Sequence, residues 1–424
     1  YDLPIAMGII MASGQLVCDA ANSLFFGELS LDGSLRHTNG ILPIALLAKE
    51  RKYKALYIPE INAKEAAVVG GIKIYPVSSI ISLFHHLSGI NPIKPFPKVS
   101  FHKLKSDTFA EFNFSDIKGQ EQAKRALEIS AAGGHNLSMR GVPGAGKTML
   151  ARALPGILPD LTEKEALEVT KIYSITGNIP EGASVVKNRP FRAPHHTTSR
   201  IGLIGGSAHP TPGEISLAHR GVLFLDEFPE FPRHVLEALR QPIEDGIIPI
   251  SRAAGTITYP ANFVLIAASN PCPCGFLGDP VKRCRCMPGQ ILQYKKRLSG
   301  PIVDRIDLHI ELPPVGVEKL TGNIKSESSD SVRKRVQKAR NIQTKRYKKT
   351  GTICNSDLNT KDIKELILLS EDCLKLLRQA VSTMHLSART YYRTIKVART
   401  IADLGGENEI SVTHIAEALK YRPK

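Results

Sequence analysis

Residues 141–148 read Gly-Val-Pro-Gly-Ala-Gly-Lys-Thr. This is the spacing G-x-x-x-x-G-K-[ST], in which a glycine-rich turn surrounds phosphate oxygens with backbone N–H groups. Gly141, Gly144 and Gly146 remove the Cβ atoms that would hold an anion at a distance. Lys147 can reach the β- and γ-phosphates, and Thr148 offers its hydroxyl to Mg²⁺. Val142, Pro143 and Ala145 complete the turn, and Met149 follows in the next helix. The run Gly141–Met149 is therefore expected to hold ATP. The bland alternative, a glycine-rich turn, has less to say about the lysine and threonine.

A second chemical group lies downstream. Gly221-Val-Leu-Phe-Leu-Asp226-Glu227 is an apolar run ending in two carboxylates. Asp226 is expected to hold Mg²⁺, directly or through water. Glu227 is expected to orient and deprotonate an attacking water, because a carboxylate neutralising the metal is not also a free base. Asn262–Asn270 is a further apolar run ending in an amide, and Asn270 is placed to bond the attacking water or the γ-phosphate. A turn-forming Asn before Pro271 is its plain alternative.

These groups need a particular scaffold. Residues 135–139 read as a strand entering the phosphate loop, and the helix from Thr148 points its N-terminus at the anion. The runs ending at Asp226 and Asn270 read as buried parallel strands, which deliver ligand-binding residues at their C-terminal edge. Phe231–Asp245 carries Val235, Leu236, Leu239 and Ile243 at helical spacing. Residues 247–250 and 256–259 flank Ser-Arg-Ala-Ala-Gly and predict a hairpin with Arg252 at its tip. Arg252 is either a solvated turn residue or a grip on a phosphate backbone.

The chain has 424 residues, too many for one ordinary core. Its longest apolar run, Ile41–Ala48, is interrupted by Pro43 and is too short to span a bilayer, so no membrane association is expected. It opens at Tyr1 inside a structured-looking segment, so a preceding piece is expected to be missing. Net charge is +16, which favours polyanions, chiefly nucleic acid. With no Trp and few aromatics among the basic residues, phosphate contact is expected ahead of base stacking.

Cys272, Cys274, Cys284 and Cys286 form C-x-C-x₉-C-x-C, and the other three cysteines are scattered. Four thiolates suit a structural zinc ion, with free thiols or a redox pair as alternatives. No disulfide framework is evident, so a reducing, cytoplasmic setting is expected. Residues 331–350 carry Lys and Arg without Asp or Glu, either as a solvated helix face or as a nucleic-acid-facing stripe. His195 and His196 are adjacent, which argues against shared metal binding and for hydrogen bonds within a loop.

The phosphate loop, Leu225-Asp226-Glu227 and Asn270 resemble the AAA+ ATPases. Three stretches narrow the resemblance: Arg189-Pro-Phe-Arg-Ala-Pro-His-His196, Ala268-Ser-Asn-Pro-Cys-Pro-Cys-Gly275 and Leu298-Ser-Gly-Pro-Ile-Val-Asp-Arg-Ile-Asp-Leu308. Together they resemble the magnesium-chelatase-like AAA+ proteins of the ComM (YifB) type, over nearly the whole chain. The resemblance implies an α/β fold with a Lon-protease-like (S5 domain 2-like) unit at 1–90, a linker at 91–112 and an AAA+ P-loop parallel-sheet core at 113–312. A second linker at 313–330 and a C-terminal helical lid at 331–424 would follow. It further implies a hexameric ring, an arginine finger at Arg305, a sensor-2 arginine at Arg389 and a pre-sensor-1 hairpin that raises Arg252 as a DNA contact. A Lon-type Ser–Lys dyad is not evident around 2–5 and 40–45, where Asp and apolar residues stand instead, so no peptidase activity is expected. The expected function is an ATP-driven ring motor on single-stranded or branched DNA, acting as a helicase or branch-migration factor in recombination and natural transformation. A chelatase-type or remodelling ATPase acting on a protein partner is the alternative, and a nucleotide-switched scaffold with negligible turnover is a third reading.

Overall fold

The computed structural model describes residues 1–101, 110–179, 183–206, 210–252, 255–298, 302–314 and 326–423, the side chains of Arg252 and Leu298 excepted. The hairpin tip at 253–254 and most of the expected linker at 313–330 lie outside the described residues. The chain divides into two compact units, Tyr1–Asp107 with Leu161–Asn188, and Thr108–Asp160 with Arg189–Lys424.

The first unit holds strands β1 (Ser23–Phe25), β2 (Glu28–Leu29), β3 (Leu35–Arg36), β4 (Ala55–Pro59) and β5 (Lys73–Val77). β1, β4 and β5 form a parallel sheet in that order, and β2 and β3 an antiparallel ribbon. The helix Ile41–Glu50 begins with Pro43 in its first turn, where a missing N–H costs little. The helix Ile80–Leu87 is capped by Ser79 and Ser82 in a reciprocal box.

The sequence predicts a core over 113–312 with a long insertion between the phosphate-loop helix and the Asp226 strand, and part of that insertion, Leu161–Asn188, groups with the first unit. The helix Glu163–Thr176, boxed by Thr162 and Glu165, belongs to the first unit. Its Ser174 hydroxyl donates to buried Glu65 at 2.6 Å, and its Ser174 carbonyl accepts from Gly40 at 2.9 Å. The Leu42 N–H also reaches Glu65, at 3.0 Å. A buried carboxylate demands such donors, and the inserted helix supplies one. Its Ala166 and Val169 pack with Val68, Val185 and Val186.

The second unit holds β6 (Leu137–Gly141), β7 (Phe191–Arg192), β8 (Val222–Leu225), β9 (Ile247–Arg252), β10 (Gly255–Pro260), β11 (Val264–Ser269) and β12 (Leu308–Leu312). Five of them make a parallel sheet in the order β12-β6-β11-β8-β7. Every residue of β8 is buried, as a strand covered on both faces requires. β9 and β10 form the expected antiparallel hairpin. The helix expected over 231–245 is instead two, Arg233–Glu237 and Arg240–Asp245. Pro242 has no N–H for the carbonyl of Ala238, and the break falls there.

The C-terminal helices are Ser329–Arg346, Thr360–Leu366, Glu371–Met384, Ala388–Gly405 and Val412–Lys420. Ser387 caps the fourth through the Thr390 N–H, and Gly406 ends it in the left-handed region. These helices share one core with the sheet. Val332, Val336, Ile395 and Ile401 join a single apolar cluster with Leu127, Leu137 and Leu154. Each such fully buried aliphatic side chain contributes about 1.5–3 kcal/mol.

The basic run resolves into two kinds of residue. Its arginines are fasteners: Arg333 pairs with Asp160, Arg335 with Glu128 at 2.7 Å, and Arg346 with buried Asp403 at 2.6 Å. Arg340 donates to the carbonyls of Ala131 and Ala132 at 3.1 and 3.2 Å, the C-terminal end of the helix Glu121–Gly133, where a cation is favoured. Lys334, Lys338, Lys345, Lys348 and Lys349 are exposed.

Candidate nucleotide site

The site is built at the C-terminal edge of the parallel sheet. β6 runs into the phosphate loop, and the helix Lys147–Ala153 starts immediately after it. Gly144 and Gly146 take φ of +80° and +87°, which side chains with a Cβ adopt only under strain. At Gly141 a Cβ would approach the Leu312 carbonyl oxygen to 2.8 Å, so glycine is needed there for closeness rather than for φ. Val142 and Ala145 are buried, and Met149 packs against the core. Gln120, which sequence reasoning missed, donates to the carbonyls of Ala145 at 3.1 Å and Pro313 at 2.8 Å and ties the loop down.

Lys147 Nζ donates to the Gly141 carbonyl at 2.6 Å, the Val142 carbonyl at 3.0 Å and Asn270 Oδ1 at 3.1 Å. Burial pulls its pKa below the ordinary amine range, and the charges of Asp226 and Glu227 oppose that pull. The Thr148 hydroxyl donates to Asp226 Oδ2 at 2.8 Å. A hydroxyl and a carboxylate oxygen side by side are the hard donors that Mg²⁺ takes. β8 ends at Leu225, and the next two residues carry the acids. Glu227 sits at φ +51°, in the left-handed region, and its N–H donates to Asp226 Oδ1 at 2.9 Å. The turn thereby separates two adjacent carboxylates, one facing Thr148 and the other largely exposed.

His196 Nδ1 lies 3.1 Å from Glu227 Oε2. The sequence predicts hydrogen bonding of the two histidines within their loop. That holds for His195, whose Nδ1 meets the Thr197 hydroxyl at 2.8 Å, but His196 reaches across to the site. The only signal available beforehand was the density of titratable residues in the stretch 189–196. Arg192 in the same stretch grips Glu214 through two bonds of 2.6 and 2.7 Å.

Arg305 and Arg389 form a separate group. Arg305 Nη2 lies 2.6 Å and Arg389 Nη2 3.1 Å from Glu244 Oε1. The Arg305 bond holds the Glu244 carboxyl below its ordinary range; slight burial opposes this, and the charges of Arg305, Arg389 and Arg240 assist it. Arg305 precedes β12, and its carbonyl accepts from Asn136, which precedes β6. Both strands run parallel, so Arg305 belongs to the N-terminal edge of the sheet. The phosphate loop lies beyond the other end of β6, a five-residue strand, about 17 Å away at roughly 3.3 Å per residue. The Arg252 side chain lies outside the described ones; its backbone closes the β9–β10 register opposite Gly255.

The four clustered cysteines also converge. Their sulfurs all lie within 4.8 Å of one another, in the loop that follows Asn270.

This fold and this site define a P-loop α/β protein. Magnesium chelatase, subunit ChlI, matches residues 113–320; its C-terminal domain matches residues 326–422, and a further ChlI domain matches residues 1–62. Competence protein ComM of Haemophilus influenzae is 45% identical over 428 residues, covering 100% of this chain and 82% of the relative. Uncharacterized protein YifB of Escherichia coli is 43% identical, with 100% and 81% covered. The magnesium-chelatase 38 kDa subunit of Rhodobacter capsulatus is 30% identical over 179 residues, covering 38% of this chain and 50% of that one. The chain belongs to the magnesium-chelatase-like AAA+ family of the ComM and YifB type.

Proposed function

We propose that this chain is a Mg²⁺-dependent ATPase that works as a ring motor on DNA, as a helicase or branch-migration factor in recombination and natural transformation. The observation that carries the reading is the division of labour between the two edges of one sheet. Lys147 is bonded to Asn270 and Thr148 to Asp226 at one edge, and Arg305 and Arg389 share Glu244 at the other. An arginine at the far edge is badly placed for its own chain's nucleotide and well placed for a neighbour's. That arrangement favours a closed ring, taken as a hexamer, in which hydrolysis requires assembly.

Lys147 and the loop amides would hold the triphosphate, and Thr148 and Asp226 would hold Mg²⁺. When bound, Mg²⁺ neutralises charge on the β- and γ-phosphate oxygens. Glu227 would orient the attacking water and take its proton, with Asn270 fixing that water or the γ-phosphate. To act so, Glu227 must let go of His196, so the pair describes a resting arrangement. Arg305 and Arg389 would leave Glu244 for the phosphates of the adjacent subunit.

The DNA half of the reading is supported by the net charge of +16, by the exposed lysines of 334–349 and by the hairpin that carries Arg252. The first unit is read as Lon-protease-like in fold and without peptidase activity. We place the protein in the cytoplasm, with zinc at Cys272, Cys274, Cys284 and Cys286 as its third cofactor. No helix among the described residues is long and apolar enough to cross a membrane.

ATP turnover measured without DNA and with single-stranded, duplex and forked DNA tests the reading. Stimulation that Arg252→Ala abolishes more strongly than basal turnover is the expected result. Turnover indifferent to every DNA, with no strand displacement, would defeat it. The match to ChlI domains keeps a second reading, an ATPase that remodels a protein partner. A stoichiometric partner that stimulates turnover in the absence of DNA would select that reading.

A further inference from the structure

We propose that the four cysteines form a closed zinc centre that clamps the loop after β11 onto the phosphate loop, so that metal loading sets the rigidity of the nucleotide site. The zinc assignment stands on the thiols alone; its consequence for turnover rests on the ATPase reading above.

The sulfur geometry is that of a tetrahedral site. Cys272 Sγ lies 3.4 Å from Cys274 Sγ and 3.7 Å from Cys284 Sγ, and the latter two are 3.6 Å apart. A tetrahedron with Zn–S bonds of about 2.3 Å has edges of about 3.8 Å. At these distances the sulfurs are unbonded thiols, the form in which four of them can take one metal ion. Cys286 closes the set, its sulfur accepting from the Cys274 N–H at 3.4 Å. The Leu277 N–H points at Cys272 Sγ at 3.3 Å. Amide donors to sulfur are what thiolate ligands need as an outer shell. Four thiolates on Zn²⁺ leave a net charge of about −2, and Lys282, Arg283 and Arg285 stand in the same loop to offset it. Four protein ligands leave no open position, so the centre is structural.

The segment has need of such a clasp. Between the end of β11 and the helix Pro288–Leu298 no residue belongs to a helix or strand. Val281 and Met287 are 88% and 71% exposed, so this loop has little apolar core of its own. Metal binding can supply the missing folding energy.

Three contacts connect the clasp to the site. Asn270, two residues before Cys272, accepts from Lys147 at 3.1 Å. The Pro271 carbonyl accepts from Arg140 of β6 at 3.0 Å. Gly275, at φ +84°, lies so close to Pro143 of the phosphate loop that a Cβ would meet its Cγ at 2.7 Å. Releasing the metal would free the segment that holds all three.

The test uses the full-length protein purified without chelators. Elemental analysis should find about one zinc per chain. Replacing it with Co²⁺ should give the visible bands of a tetrahedral site with thiolate charge transfer. Cys286→Ser should lose the metal, and Cys286→His should keep it. Backbone hydrogen exchange should then rise in 142–146 and 270–275 in the metal-free protein and return when zinc is restored. Reversible removal by a thiol-blocking mercurial and re-addition gives the same comparison without a mutation. Iron in place of zinc, or a metal-free protein that also fails to bind Co²⁺, overturns the zinc centre. Unchanged exchange at 142–146 after metal loss overturns the clamp. Both readouts decide the proposal whether or not the protein hydrolyses ATP, so failure of the ATPase reading is seen separately. If that reading holds, metal loss should lower turnover by between about 10- and 100-fold.

Discussion

At the C-terminal edge of the five-stranded sheet, a lysine is bonded to an amide and the threonine beside it to a carboxylate; at the N-terminal edge, two arginines share one carboxylate. The first edge pairs the side chains of two neighbouring loop residues with groups at the ends of two strands, Lys147 with Asn270 and Thr148 with Asp226. The second is a pair of cations parked on Glu244. The difference teaches where the chain is self-sufficient. Anion-binding loops follow strands that end at one edge, so a single chain can assemble them. A cation rooted at the other edge lies a strand's length from that site.

The largest effects should fall on the first edge. Glu227→Gln should reduce ATP turnover by about 10²–10⁴-fold while nucleotide binding persists, since only the base is lost. Lys147→Ala should remove binding itself. Turnover and binding measured in parallel separate the two, and a fully active Glu227→Gln would break the assignment of roles.

Arg305→Ala should lower turnover by about 10³-fold with nucleotide still bound. Mixing Arg305→Ala chains with Lys147→Ala chains sharpens the comparison. Mixed rings would contain interfaces with an intact loop and an intact arginine, so turnover should partly return. If the mixture stays as inactive as its components, the two edges do not serve each other across subunits.

The N-terminal edge should also be the one that acid weakens. His309, in β12, is driven down to about 4, first by burial, with the nearby Arg393 charge adding to it. Its contact with the Ile306 carbonyl and the charges of Asp307 and Asp304 act the other way. Between about pH 6.5 and 4 the unfolded chain binds a proton there that the native state refuses. Stability from this group is therefore complete above pH 6.5 and declines as pH falls through that window, by about 3 kcal/mol in total. His309→Gln should flatten the slope of unfolding free energy against pH in that range. An unchanged slope would remove His309 as its source.

The smallest effect is expected at His196. His196→Ala removes one partly exposed bond to Glu227, so basal turnover should rise by about 2- to 10-fold. A fall instead would make His196 a working part of the site rather than its rest.

The phosphate loop, the Asp226–Glu227 strand end and Asn270 were legible because each is a contiguous run whose chemistry and local conformation come from neighbouring residues. The strands and helix that carry them follow from apolar periodicity and the glycines. Other features involve partners far apart in the chain. His196 meets Glu227, Gln120 meets Ala145 and Pro313, and Arg340 meets the end of the helix Glu121–Gly133. Composition alone made the arginines and lysines of 331–350 look alike; packing made the arginines bonds and left the lysines in water. Nor did the run of sequence show that residues 161–188 leave the sheet unit, because the need they meet is a buried glutamate at position 65.

By itself the sequence determined a glycine-rich turn that opens a helix, the acids that follow one strand and a quartet of thiols in one loop, since a handful of adjacent residues dictates each of these. Tertiary structure alone decided which end of the sheet each group occupies and which side chains hold them at rest. Strand order and direction are settled only when distant segments bury their apolar faces together, and no stretch of chain carries that information alone.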